Sequence, residues 1–163
     1  MSAGRPKDLP FDPDERESVR QAAVNLDDRG RMKIPAKMVE NLSWLAGRDT
    51  LAVLSVPGII RLHPWTPARE AVLRRRRELV ERAKDESLTY EILRALEDRY
   101  KRFRIPKSVR PTLTNEMILH LGLPLSIPAS IYIWRIADTV EINSSPHRIQ
   151  HLVDEWEELS DLP

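Results

Sequence analysis

The chain has 163 residues, with 26 Lys plus Arg against 25 Asp plus Glu, 4 His and no Cys. That length suits one domain or two small units sharing a core, and the lack of Cys removes disulfides, thiolate metal sites and cysteine nucleophiles. The net charge of +1 hides an uneven spread: residues 66–110 hold 14 basic and 8 acidic groups, residues 111–163 only 2 basic and 8 acidic.

Residues 1–21 mix Pro6, Pro10 and Pro13 with charged groups and few apolar ones, the composition of a flexible arm. Their basic opening has no apolar stretch behind it, so no secretory signal is expected. No later run approaches the ~18 apolar residues of a membrane span, and a cytoplasmic protein is expected. A first unit spans residues 22–65. It opens with a strand candidate, Ala22 to Leu26, followed by a polar turn, Asp27-Asp28-Arg29-Gly30, in which Gly30 supplies positive φ. Arg31-Met32-Lys33-Ile34 alternates like a half-buried strand. Pro35 ends it and opens a helix over Ala36–Leu45, with Gly47 as its stop. A hairpin over Thr50–Val56 and Ile59–His63 turns through Pro57-Gly58, a type II pair.

Residues 66–97 form a helical linker, entered at Thr66-Pro67 and broken near Asp85-Glu86-Ser87 into two apolar stripes. A second unit follows over residues 98–145. Asp27 to Pro35 can be laid over Asp98 to Pro106 at an offset of 71, each giving Asp, three residues, Arg, apolar, basic, Ile, Pro. A helix-like stretch over Ser108–Leu121 and a hairpin, Ile131–Ile136 with Thr139–Ile142, complete this unit. Residues 146–163 read as an acidic terminal helix capped by Ser145-Pro146. Each unit is too small to bury a core alone. Two units that interleave their strands close a small shared barrel, and both bends then present cations to one surface. Such positive surfaces suit nucleic acid.

The run from Leu26 through Asp27, Gly30, Arg31, Ile34 and Pro35 to Lys37, then Gly47 to Leu54, then Gly58 to Trp65, resembles the AbrB/SpoVT swapped-hairpin family. With a second, degenerate unit beyond a helical linker, the chain over about residues 22–150 resembles the MraZ-like, tandem AbrB/SpoVT transcriptional regulators. The resemblance implies an α+β, mostly β fold: a double-psi-like, swapped-hairpin barrel with linking helices. It also implies a nucleoid-associated regulator that binds double-stranded DNA at short repeated sites as a homo-oligomer, a ring among MraZ relatives, without cofactor. By position, the DNA-facing residues are Arg29, Arg31, Lys33 and Lys37 in the first unit, and Arg99, Lys101, Arg102, Arg104, Lys107 and Arg110 in the second. Asp27, Gly30, Pro35, Asp98 and Pro106 shape the turns. Arg serves both phosphate and the O6/N7 edge of guanine, whereas the lysines suit phosphate alone.

Other signals point less sharply. Arg74 to Arg77 suits a solvated helix face with Glu70–Arg74 and Glu78–Arg82 pairs, or a phosphate or subunit contact. His147 and His151 are four apart but lack the further ligands of a zinc site, so no metal is expected. The four Trp sit beside apolar positions, as core or interface residues do. Neither a phosphate-cradling glycine loop nor a serine elbow occurs, so no enzyme is expected. The alternative to DNA binding is a protein-interaction module, antitoxin-like or an assembly protein, that holds its partner through the acidic terminal helix or the arm.

Overall fold

The computed structural model describes residues 19–136 and 138–146. Most of the expected arm and the terminal acidic helix, with His147 and His151, lie outside the described residues. The elements run β1 (Val19–Leu26), α1 (Ala36–Val39), β2 (Arg48–Val53), β3 (Ile59–Pro64), α2 (Trp65–Arg82), α3 (Glu86–Arg99), β4 (Tyr100–Ile105), α4 (Asn115–His120), β5 (Ala129–Ile136) and β6 (Thr139–Asn143).

All strand pairs are antiparallel, and the six strands lie in the order β1-β5-β6-β3-β2-β4. Each hairpin therefore takes its third strand from the other half of the chain. β1 pairs with β5, from Val19 opposite Ile136 to Leu26 opposite Ala129. β4 pairs with β2, from Arg48 opposite Ile105 to Val53 opposite Tyr100. The order is unchanged when the halves are exchanged (β1 for β4, β2 for β5, β3 for β6), so the sheet has the pattern of a two-fold repeat. β1 and β4 remain as its two edges, and the sheet is not closed into a barrel.

The alternation of the strands sets two faces. Ala52, Leu54, Ile60, Leu62, Phe103, Ile105, Ile131, Ile133, Val140 and Ile142 point to one, where they join Leu26, Met32, Ile34, Met38, Leu113 and Met117 in the main core. Leu51 and Val53 point to the other, where Trp65, Ala68 and Val72 of α2 and Tyr100 pack on them. Arg61 and Glu141, directly opposite at the β3–β6 junction, are both fully buried; Arg61 Nη2 donates to Glu141 Oε1 at 2.6 Å.

The β2–β3 turn forms as its sequence predicts. Gly58 has φ +85°, and the Ile59 N–H donates to Val56 O at 3.1 Å, placing Pro57-Gly58 at the centre of the bend. The linker is two helices, as expected. α2, however, starts at Trp65 after Pro64 with no side-chain cap, so Thr66 lies inside the helix. The expected helix over 36–45 stops at Val39, because Glu40 is extended (ψ 126°) and Asn41 has φ +64°. The helix-like reading of Ser108–Leu121 holds only for α4. Thr114 caps it by accepting from the Met117 N–H at 3.2 Å, while Val109 has φ +52° and Pro111 and Leu113 are bonded to Met32 and Gly30 rather than within a helix.

Candidate nucleic-acid interface

The first bend is built around Asp27. Its Oδ1 accepts the N–H groups of Arg29 (2.9 Å) and Arg31 (2.8 Å), and its Oδ2 accepts Arg31 Nε at 3.0 Å. Chiefly through the Arg31 N–H, these bonds hold the Asp27 pKa below the usual carboxylate value. Gly30 closes the bend with φ +81°. A Cβ there would lie 3.0 Å from both Ile118 Cδ1 and Leu113 O, so the positive φ calls for glycine and the crowding adds to it.

Asp98 and Arg99 end α3, and Lys101 and Arg102 belong to β4, so the expected second bend at 98–102 is a helix-to-strand junction. The offset-71 match therefore aligns unlike structures. The second bend lies further on, at Pro106 to Val109, where the Val109 N–H donates to Pro106 O at 2.9 Å. The structural repeat is at an offset of 79. It matches Gly30 (φ +81°) with Val109 (φ +52°), and buried Leu26, Met32, Ile34, Met38 and Leu42 with buried Ile105, Pro111, Leu113, Met117 and Leu121. Pro106 thus does belong to a bend, in the position of Asp27, whereas Asp98 shapes none.

The two stretches after these bends pair with each other. Leu113 N–H donates to Gly30 O (2.8 Å), Met32 N–H to Pro111 O (3.2 Å) and Ile34 N–H to Val109 O (2.9 Å), with an antiparallel bridge between Arg31 and Thr112. Met32, Ile34, Pro111 and Leu113 face inward and are buried; Arg31, Lys33, Arg110 and Thr112 face out and are exposed. The pattern puts Lys33 opposite Arg110 in a non-hydrogen-bonded pair, where Cβ atoms are about 4.5–5.5 Å apart. Exposed Arg29 and Lys107 stand in the bends at the two ends of this ribbon. Among the described residues, Arg29, Lys33, Lys107 and Arg110 have no ion-pair partner, and Arg31 uses only Nε on Asp27.

The other expected contacts are placed differently. Arg102 donates to Asp49 Oδ2 at 2.6 Å and lies 4.8 Å over the Trp65 ring. Arg104 donates to Gly47 O at 3.1 Å and is 3.8 Å from Asp49. Arg102 first and Arg104 after it hold the Asp49 carboxyl below its usual pKa. Lys101 faces α4 and pairs with Glu116 at 3.2 Å. Arg99 lies over Tyr100 at 5.7 Å. Lys37 is exposed on α1, after Pro35. The structure thus gathers Arg29, Arg31, Lys33, Lys107 and Arg110, and commits Lys101, Arg102 and Arg104 to bonds within the chain. Sequence reasoning missed Thr112, on the outward face of the ribbon, and Arg48, which has no ion-pair partner among the described residues. The alternation from Arg110 through Pro111, Thr112 and Leu113 was the available signal. The ion pair on the Arg-rich helix is Arg75–Glu78 at 3.8 Å, one residue closer in sequence than the expected pairs.

No protein-family model and no curated protein matches the chain. Among the described residues, no helix is long and apolar enough to cross a membrane, and no three acidic or imidazole groups gather to hold a metal.

Proposed function

We propose that the chain is a sequence-specific, double-stranded-DNA-binding transcriptional regulator of the MraZ-like kind, with a swapped-hairpin AbrB fold, that acts as a homo-oligomer in the nucleoid. One observation carries the reading: Lys33 faces Arg110 across an exposed ribbon, with Arg31 beside them and Arg29 and Lys107 at its ends. Like charges placed directly opposite destabilise a strand pair, and a polyanion removes that penalty. A two-stranded ribbon also fits the major groove of B-DNA, about 12 Å wide. Arg31, Arg29 and Arg110 are the candidates for guanine edges, and Lys33 and Lys107 for phosphates. Several copies on repeated short sites raise avidity by roughly 10²–10⁴ when geometry allows.

Selection of bound duplexes from random DNA, eluted across a salt series, tests this function. An enriched short sequence whose retention falls steeply with salt supports it. Retention without enrichment, or no retention, refutes a sequence-specific regulator.

A further inference from the structure

Of the ribbon's outward cations, Arg31 is the one braced by a carboxylate among the described residues. Its backbone N–H donates to Asp27 Oδ1 at 2.8 Å, and its C=O accepts the Asp27 N–H at 2.9 Å. Its side chain donates from Nε to Asp27 Oδ2 at 3.0 Å. The carboxylate is itself fixed, because Oδ1 also accepts the Arg29 N–H at 2.9 Å. On either side of Arg31, Gly30 O and the Met32 N–H are bonded to Leu113 and Pro111 of the facing stretch. The guanidinium remains exposed, and its Nη1 and Nη2 have no partner among the described residues. We propose that Asp27 is a positioning residue: by holding Arg31 at Nε, it presents the two Nη groups as a fork to O6 and N7 of one guanine in the major groove. The proposal rests on the reading of the ribbon as a duplex-binding surface.

Three properties of the brace favour a base over a phosphate. It takes Nε and leaves the end-on pair of donors, which matches the two guanine acceptors. The Asp27 charge offsets part of the guanidinium charge and repels a nearby phosphate, whereas a neutral base edge escapes that repulsion. A side chain already held loses less freedom on binding. The second bend supplies an internal comparison. At the offset of 79, Arg31 matches Arg110 and Asp27 matches Pro106, which has no carboxylate. Arg110 faces Lys33, whereas Arg31 faces Thr112, which is short and uncharged and does not push the guanidinium aside. The two arginines therefore differ in restraint, and Arg31 sets the sharper base preference.

Wild-type, Asp27→Asn and Arg31→Lys chains are each put through selection from random duplexes. Affinities are then measured for the enriched duplex, its single-base-pair variants and a scrambled duplex. Asp27→Asn keeps an oxygen for the Arg29 and Arg31 N–H groups and loses the ion pair. The wild-type chain is expected to prefer a G·C pair at one position by roughly 5–150-fold. Both variants are expected to lose most of that factor and to keep the preferences at other positions. Asp27→Asn also keeps or raises affinity for the scrambled duplex, since a negative charge is gone. A uniform loss at every position and with the scrambled duplex marks Asp27 as a turn residue only and overturns the inference. A guanine preference that Asp27→Asn retains overturns it too. One further measurement needs no Asp27 variant. The Arg31 Nε–H resonance, assigned by its loss in Arg31→Lys, is expected to exchange with water more slowly than that of free arginine, and unrestrained exchange overturns the brace. No enriched sequence with the wild-type chain refutes the regulator reading and this inference with it; an enriched sequence without a required G·C pair overturns this inference alone.

Discussion

Lys33 and Arg110 carry opposing demands, since each weakens the ribbon by facing the other and each supplies charge to a ligand. Lys33→Ala and Arg110→Ala are therefore expected to leave stability unchanged or raise it by about 0.2–1 kcal/mol while weakening DNA retention. A double-mutant cycle by urea unfolding checks the sign: the repulsion predicts that the second substitution gains less than the first. Gly30 has the opposite character. Gly30→Ala forces a Cβ to 3.0 Å from Leu113 O at positive φ, so a loss of about 1–3 kcal/mol is expected in the same assay. Val109, the matching residue of the second bend, holds a β-branched side chain at φ +52°, a conformation that such residues rarely adopt. Its side chain packs against the main core, which offsets that cost.

β3 carries the two groups that make the sheet centre sensitive. Arg61 and Glu141 are fully buried across the β3–β6 junction. Arg61→Met leaves a buried carboxylate without its guanidinium and is expected to cost about 3–5 kcal/mol, much of it recovered when Glu141→Leu is added; thermal unfolding reads both. Two residues along, burial first and the Arg61 charge second push the His63 pKa down to about 4. The unfolded chain takes up this proton near pH 6.5 and the folded chain only near pH 4, so folding stability falls as pH drops through that window. The total is about 3 kcal/mol. His63→Phe is expected to flatten the pH dependence of Tm between 6.5 and 4, and an unchanged profile contradicts this. β4 shows how far sequence carried. Its alternation was legible, and so were both hairpins and the two linker helices. The meaning of Arg102 and Arg104 was not, because β4 is an edge strand. Charged side chains blunt such an edge against pairing with another chain, and here they are also bound to Asp49 and Gly47.

Across the whole molecule, the halves exchange strands and meet again in the ribbon, so the cations of two bends 79 residues apart share one surface. The shared positive surface was legible in the sequence; the register that builds it was not. Identity favoured an offset of 71 through Asp, Arg, Ile and Pro, whereas the fold follows burial and positive φ, which Gly30 and Val109 satisfy with unlike residues. Pro111 has no N–H, so it accepts from Met32 without returning a bond; in the sequence it read as an interrupted helix rather than as half of a ribbon. The salt dependence of duplex binding tests the ribbon most directly, with the wild-type chain compared with the Lys33→Ala, Arg110→Ala pair. Each lost phosphate contact lowers the slope of log K against log salt by about 0.9. With Lys33 on a phosphate and Arg110 on a base edge, the account predicts a slope shallower by about 0.9 and weaker binding in a fully folded variant. Equal slope and affinity in the two proteins contradict it.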